Sequence, residues 1–316
     1  MFDIIKRSYI WLFCGALLAV WSLLVFFLHI NLSIDFVGGM QVRVATVLDN
    51  DFVGGVSDFI ANAWMDDVSV QIKAEETFTD ILIKTESKSD EDITMISAML
   101  EEFLLSNNYI DTIDGIIQSS ITGPSVGSYM QSAALRAVII GVIFIMIYML
   151  FSFAAIRKVV SPWILAIVTI CTMLFDILIP AGAYGILMMI NPTVQVDTVF
   201  IIAILTIMWY SINDTIIIFD RIRENAEKAG VENSKKIVYA KLFEKSIWQT
   251  MRRSIGTSLS TLLVVVAMYA FGSGVIQLFA FTVWIGVLAG TASSIFIAAP
   301  LAYLLLGKFA AEYKQK

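Results

Sequence analysis

The stretch TVFIIAILTIMWYSINDTIIIF, residues 198–219, is apolar over a length that can cross a lipid bilayer and contains one charged side chain, Asp214. A spanning helix needs about 20 mostly apolar residues. Five further stretches of this kind occur, so the sequence predicts a polytopic membrane protein with six transmembrane helices. The other five lie at about 9–30, 133–153, 162–188, 254–272 and 276–306.

Composition and charge indicate one solvated domain among these helices. The chain is 58% hydrophobic and 15% charged, whereas soluble domains are about 45–50% apolar and roughly 25% charged. Residues 31–131 carry 17 acidic and 4 basic side chains, and the rest of the chain carries 10 acidic and 17 basic ones. This acidic segment argues against a nucleic-acid partner, because phosphate binding requires a basic surface.

Lysine and arginine predict the orientation. They flank the start of the first span, follow the second span, fill the segment 221–253 and end the chain, whereas the turns 189–197 and 272–275 contain none. Because cytoplasmic loops are enriched in these residues, we expect both termini in the cytoplasm of a cell whose inner membrane holds the chain. The predicted parts are an N-terminal segment with the first helix (1–30), a periplasmic domain (31–131) and a five-helix membrane domain (132–316) with a cytoplasmic loop (220–252).

The periplasmic segment has an α+β pattern. Alternating apolar residues predict strands, and apolar residues at helical spacing predict helices, in the order β-α-β-β-α-β. This is the split-βαβ, ferredoxin-like arrangement, which hosts many functions. The strands are expected at 40–47, 68–74, 79–85 and 109–121, and the helices at 53–64 and 90–106.

Asp214 is the sharpest functional candidate, because an ionisable group in a span costs a few kcal/mol and needs a reason. It lies about five residues before the cytoplasmic end of its helix, and Arg253 begins the next, antiparallel span at a similar depth. Burial disfavours the charged carboxylate and a neighbouring guanidinium favours it, so such a pair can bind and release a proton. The predicted proton-relay residues are Asp214, Arg253 and Asn213, with Arg252 as the alternative arginine. A static polar contact between helices is the other interpretation.

Other polar or small residues in the spans have weaker interpretations. Asp176 in the third span is a possible secondary site, with a structural hydrogen-bonded role favoured. Hydroxyl side chains on the fifth span, Thr257 and Ser258 among them, indicate helix packing or a hydrated path beside Asp214. Cysteine and histidine form no spaced metal motif, and Cys14 and Cys171 are expected to be small buried side chains. A small-residue stripe on the sixth span predicts close helix packing: Gly286, Gly290, Ser294 and Ala298.

The segment YSINDTIIIFDRIREN, residues 210–225, resembles the fourth membrane helix of the SecF family of protein-export subunits. Further matching segments occur in the same order as in that family. They are Ile34-Asp35-Phe36 with Gly38-Gly39 after the first span, Gly123 to Gly127 before the second, Arg253 to Leu263 in the fifth and Gly286 to Ala298 in the sixth. The resemblance covers the membrane part, whereas the outer domain matches in pattern alone.

The resemblance implies a function and partners. SecF subunits pair with SecD beside the SecYEG channel, use the proton gradient to promote late steps of preprotein translocation, and belong to the resistance-nodulation-division superfamily. The family's functional aspartate corresponds to Asp214 and its functional arginine to Arg253. H⁺ is therefore the expected coupling ion, with no other cofactor, and the chain is expected not to be an enzyme.

Some residues depart from the family pattern, and other functions stay open. Trp209 replaces a usual glycine, Gly256 replaces a usual asparagine, and Ser33, Val37 and Met40 replace the usual residues around Asp35. Trp209 and Gly256 could alter packing near Asp214 or shift the coupling ion toward sodium. The alternatives are a small-molecule exporter subunit of the same superfamily and a passive scaffold of the translocon.

Overall fold

A computed structural model of the chain has six helices long and apolar enough to cross a membrane, as the sequence predicts. They are Ile5–Leu28, Pro124–Ser152, Pro162–Ile190, Thr198–Lys228, Ala240–Phe271 and Val275–Leu306. The structure describes residues 3–44, 55, 58–59, 68–74, 79–85, 90–107, 116–154, 161–191, 193–228 and 236–312. The chain is therefore a multi-pass membrane protein.

The described residues form two compact units. One comprises residues 1–29, 137–189 and 199–316, and the other comprises residues 30–136 and 190–198. The first unit contains most of the spanning helices. Their full bounds are α1 (Ser8–Leu28, after a 3₁₀ turn at Ile5–Arg7), α4 (Pro124–Ser152), α5 (Pro162–Ile190), α6 (Thr198–Lys228), α7 (Lys236–Phe271) and α8 (Val275–Ser293), followed by α9 (Ala299–Glu312). The remaining helices, in the other unit, are α2 (Ile34–Val37) and α3 (Asp90–Ser106).

Glycines allow the membrane helices to approach one another closely. A Cβ atom at Gly182 would lie 2.5 Å from the Cβ of Ser22, so α5 packs directly on α1. A Cβ atom at Gly286 would lie 2.3 Å from Cδ1 of Ile207, so α8 packs in the same way on α6. Small residues permit such contacts where lipid supplies no hydrophobic driving force between helices.

Replacing Gly286 by alanine is expected to destabilise the membrane unit by about 1–3 kcal/mol, because Ile207 is fully buried and cannot move aside. The matched control is Gly256→Ala on α7, where a Cβ atom would meet nothing within 4 Å. There the stability is expected to be unchanged or to rise by up to about 1 kcal/mol from helix propensity. The midpoint of thermal unfolding in detergent measures both variants. Equal midpoints for the two would contradict this account of the α6–α8 contact.

The last spanning helix is interrupted by a π-helical segment at Ser294–Ala298, between α8 and α9. Single π turns inside α-helices are rare and occur frequently at functional sites. The segment begins one residue after Ser293, and both Ser293 and Ser294 are buried. This irregular turn therefore occurs where α8 has buried polar side chains.

The second unit contains a four-stranded antiparallel sheet. Its strands are β1 (Gly39–Val44), β2 (Val68–Ala74), β3 (Thr79–Thr85) and β4 (Ile116–Thr122), and their order in the sheet is β2-β3-β1-β4. The register pairs Val42 with Ile81 of β3 and with Ser119 of β4. The buried residues Leu100 and Leu104 of α3 supply an apolar face in the same unit as the buried Val42, Ile81 and Ile83 of the sheet.

The Asp-Phe-x-Gly-Gly element begins this unit and is held by hydrogen bonds on several sides. Asp35 Oδ2 accepts from the backbone N–H of Thr198 at 3.1 Å and from its hydroxyl at 2.9 Å. Gln131 donates to the carbonyl of Phe36 at 2.9 Å, and Lys84 donates to the carbonyl of Leu32 at 2.5 Å. The carboxylate of Asp35 thereby caps the first turn of α6.

Several sequence expectations need correction or lie outside the described residues. Cys14 and Cys171 are exposed on the protein surface, not buried. The span predicted at about 254–272 lies within a longer helix, α7, which begins at Lys236. Most of the helix expected at 53–64 lies outside the described residues.

Candidate functional site

Asp214 lies on α6 with 1% of its surface exposed. In the part of the chain that the structure describes, neither of its carboxylate oxygens receives a hydrogen bond. The hydroxyls of Ser258 on α7 and Thr291 on α8 lie beside the carboxyl. Asp214 is therefore enclosed by two neighbouring helices, with hydroxyl groups beside it and no ion-pair partner among the described residues.

The hydroxyl groups next to Asp214 are hydrogen-bonded to one another. The oxygens of Ser258 and Thr291 are 2.6 Å apart, and the phenol of Tyr210 donates to Ser258 at 2.9 Å. The backbone carbonyls of Ser254 and Val287 lie 2.8 Å from the hydroxyls of Ser258 and Thr291 and can also accept from them, so each hydroxyl donates its single proton to one of two partners at a time. Since a hydroxyl proton rotates to suit its partners, Ser258 and Thr291 can turn toward Asp214 when it ionises.

Asp176 on α5 belongs to the same polar cluster. It is fully buried, and the hydroxyl of Ser211 on α6 donates to its Oδ2. The hydroxyl of Ser293 on α8 lies close to the carboxyl, and Asp214 is near enough to act on it electrostatically. Sequence reasoning treated Asp176 and Asp214 separately. The sequence feature that relates to this cluster is the three-residue spacing of Ser211 and Asp214, which places both side chains on one face of α6.

The expected ion pair between Asp214 and an arginine is not formed in this structure. Neither Arg252 nor Arg253 makes an ion pair with Asp214 among the described residues, and both are exposed. The reason is the rotation of α7: each residue turns the helix by about 100°, so Arg253 faces away from the bundle. The face that packs inward carries, beside apolar side chains such as Ile247, hydroxyls that recur every four residues: Ser246, Thr250, Ser254 and Ser258.

The hydroxyl stripe predicted on the fifth span divides between two surroundings. Ser254 and Ser258 are buried, whereas Thr257 is exposed and Thr261 is half-buried, and both threonines donate to backbone carbonyls of their own helix. The first two therefore belong to the site, and the threonines do not contact Asp214. Ser254 Oγ is buried and makes no hydrogen bond among the described residues.

Asn213 points away from the two carboxyls. It is exposed and lines an open cavity of about 540 Å³ between α4 and α6, together with Trp209. The remaining lining is apolar apart from the phenol of Tyr148: Gly141, Phe144, Ile145, Tyr148, Leu205, Met208, Ile212 and Ile216. The structure therefore does not bring Asn213, a predicted relay residue, together with Asp214, its neighbour in sequence.

The two departures from the family pattern near the site do not disturb its packing. Trp209 is 76% exposed, and Gly256 faces open space. The small-residue stripe does contact the site, since a Cβ atom at Gly290 would lie 3.3 Å from the Cβ of Ser211. The local environment of Asp176 is therefore set by α6 and α8.

The groups present limit the chemistry of this site. No cluster of three or more His, Cys, Asp or Glu side chains that could hold a metal ion occurs among the described residues. Two buried carboxyls and several hydroxyls can bind protons, and the oxygen atoms could also ligate a small hard cation. Because an ionised carboxylate without a counter-charge is costly in a low-dielectric interior, the arrangement seen here favours protonated carboxyls.

Comparison with known proteins identifies a family. Residues 106–308 match the family model described as protein export membrane protein SecD/SecF, C-terminal. The SecF translocase subunit of Sebaldella termitidis is 34% identical over 277 residues, covering 87% of this chain and 82% of that protein. The SecF subunit of Calditerrivibrio nitroreducens is 32% identical, covering 95% of this chain and 92% of that protein.

Solved structures agree with this likeness. The crystal structure of SecDF from Thermus thermophilus, described as a translocon-associated membrane protein, matches with a TM-score of 0.73 and 27% identity over 100% of this chain. A super-membrane-facing form of SecDF matches with a TM-score of 0.65 over 99% of the chain. The chain spans 39% of the first and 40% of the second of these longer proteins.

Proposed function

Because the chain belongs to the SecD/SecF family of protein-export membrane proteins, we propose that it acts as a proton-coupled subunit of the Sec protein translocase. Relatives over most of its length are translocase subunits SecF, so its role is in protein transport. The further proposal is that the proton gradient across the inner membrane drives it during late steps of preprotein translocation.

The proposed partners are a SecD-like subunit, the SecYEG channel and the unfolded preprotein. The pairing with SecD is supported by relatives from Thermus thermophilus and Brucella abortus that are named SecDF and of which this chain matches 34% and 33% of the length. Half of a paired transporter is not expected to move a substrate alone. SecYEG and the preprotein follow from the family's role.

We further propose that the four-stranded unit is a ferredoxin-like domain on the periplasmic side. The order β2-β3-β1-β4 with antiparallel neighbours and a helix between β3 and β4 fit that arrangement. The positive-inside pattern supports its location outside the cytoplasm and both termini within it. This domain would hold the emerging preprotein and change position with the state of the membrane unit.

The observation that carries the proposal is the burial of Asp214 without a counter-charge. A protonated Asp214 is compatible with the apolar packing seen here. Loss of the proton creates a charge that the neighbouring hydroxyls do not neutralise, so α6 and α7 would then rearrange toward contact with Arg253. Proton entry from the periplasm and release to the cytoplasm would alternate these two states and drive the outer domain through a cycle.

The test is export of a pulse-labelled secreted protein from cells that contain or lack this chain. Cells with the chain and its SecD partner are expected to release the protein severalfold faster, and an uncoupler that dissipates the proton gradient should remove that advantage. SecYEG is present in both strains, so the difference isolates the contribution of this chain. An advantage that persists with the uncoupler would favour a passive scaffold over a proton-driven subunit.

A further inference from the structure

We propose that Asp176 is a second proton-binding residue and that it binds protons as a coupled pair with Asp214. This inference rests on the proposed function, in which Asp214 carries a proton. It assigns to α5 an active part in the site in place of a static structural contact.

Burial is the first argument for a coupled pair. Asp176 is fully buried and Asp214 has 1% of its surface exposed. Two carboxylates ionised together in one apolar bundle would each lose their hydration and would repel one another. The site is therefore restricted to states that keep at least one proton on the pair.

The charged and titratable groups around the pair are few. The stretches 8–28, 162–190, 254–271 and 275–306 contain no lysine or arginine, and Arg252 and Arg253 on α7 are exposed. On α6 the titratable neighbours are Asp214 itself and Tyr210, whose hydroxyl is bonded to Ser258. From α8 the cluster receives Ser293 and Thr291, which carry no charge. Among the described residues, no cation therefore neutralises the second carboxylate.

Direct contact links Asp176 to the helix that carries Asp214. Ser211 donates its hydroxyl to Asp176 Oδ2 and lies three residues before Asp214 on α6. Gly290 packs closely on Ser211, since a Cβ atom at Gly290 would lie 3.3 Å from that of Ser211, a tight contact. A change of charge on Asp176 thus acts on α6 through one hydrogen bond at a tightly packed point.

Two further observations indicate that this contact is more than structural support. Asp176 Oδ1 is buried and receives no hydrogen bond among the described residues, although a purely structural aspartate is expected to be fully satisfied. The π-helical segment Ser294–Ala298 begins one residue after Ser293, and such turns are concentrated at functional sites. Both features lie at the contact of α5, α6 and α8.

The first experiment measures proton occupancy directly. Membrane vesicles holding this chain with its SecD partner are labelled with a hydrophobic carbodiimide, which reacts with protonated carboxyls, and labelling of Asp176 and Asp214 is followed by mass spectrometry between pH 5 and 9. A single site loses its label over about two pH units. In the unaltered chain, labelling of Asp214 is expected to fall over a wider pH range, because interacting groups titrate in two steps. In Asp176→Asn, the pH range over which Asp214 loses its label should narrow to that of a single site.

Two residues close to Asp176, Thr172 and Ser211, provide the control variant and the substitute variant for this labelling experiment. Thr172→Val removes a fully buried hydroxyl one turn from Asp176 that bonds to its own helix, and it should leave the Asp214 curve unchanged. An Asp214 curve identical in Asp176→Asn and in the unaltered chain would overturn the inference. If Asp176→Asn fails to accumulate, Ser211→Ala is used in its place. The dependence of Asp176 labelling on pH is then compared between Ser211→Ala and the unaltered chain, and no difference between the two would also overturn the inference.

Export separates this inference from the proposed function. Gradient-driven export is expected to fall at least about tenfold in Asp176→Asn, a loss equivalent to about 1.4 kcal/mol. If Asp176→Asn exports normally while Asp214→Asn does not, the inference fails and the proposed function stands. If Asp214→Asn itself retains gradient-driven export, the proposed function fails, whatever the second carboxyl does.

Discussion

Replacing Asp214 by asparagine is expected to abolish gradient-driven export while leaving the chain folded and bound to its SecD partner. Asparagine has nearly the size of a protonated aspartate and suits the buried position, where 1% of the side chain is exposed. It cannot release a proton, so the chain would remain in the arrangement described here. In the unaltered chain, an unpaired carboxylate at this depth costs a few kcal/mol, and this is the free energy that would drive the rearrangement when Asp214 releases its proton. Since about 1.4 kcal/mol corresponds to a factor of ten, losing it should lower export at least about tenfold.

The matched control is the same substitution at Asp220, six residues further along α6. Its carboxylate is exposed and pairs with Arg223 at 3.2 Å, a surface contact worth no more than about 1 kcal/mol. Asp220→Asn is expected to export at the normal rate. Pulse-labelled export with and without an uncoupler measures both variants, and co-purification with SecD reports assembly. Undiminished, uncoupler-sensitive export by Asp214→Asn would remove Asp214 from the mechanism.

The six helices could be predicted from sequence because bilayer thickness sets the length of an apolar run. The same holds for close packing at Gly286, since small residues at four-residue spacing form one face of a helix, although the partner Ile207 was not predicted. The rotation of each helix about its own axis could not be predicted in this way. Arg253 and Ser254 are adjacent in sequence, yet the first is exposed and the second is buried. Packing decides that difference, and no periodic pattern around Arg253 specifies it.

The role of Asp176 illustrates a second limit. Its partner Ser211 is 35 residues away on another helix, and neither residue has a local sequence feature that identifies the other. The spacing of Ser211 and Asp214 on α6 indicates a shared face, but which helix that face contacts depends on the whole bundle. Sequence could thus identify the unusual carboxyls, whereas their association required the arrangement of α5, α6 and α8.

Gly39→Ala is expected to have the largest effect on the stability of the four-stranded unit. Gly39 has φ +139°, a conformation that residues with a side chain rarely adopt, and its Cβ atom would lie 2.2 Å from the backbone carbonyl oxygen of Ile83. That carbonyl belongs to β3, which pairs with β1 along Gly39–Val44, so it cannot move without breaking the ladder. Backbone strain of about 1–3 kcal/mol and a steric cost of similar size predict a loss of about 3 kcal/mol or more.

Gly274→Ala separates strain from crowding. Gly274 also has a positive φ, +57°, with ψ −124°, but a Cβ atom there would meet nothing within 4 Å, so the expected cost is the backbone strain alone, about 1–3 kcal/mol. Protease resistance of the full chain in detergent, followed over a range of temperatures at cleavage sites in both units, compares the two variants. Gly39→Ala should be cleaved at a clearly lower temperature than Gly274→Ala or the unaltered chain. Equal resistance would mean that β1 can shift away from β3 at Gly39. The Gly-Gly element would then serve the four-stranded unit in some way other than close approach of its first strand to β3.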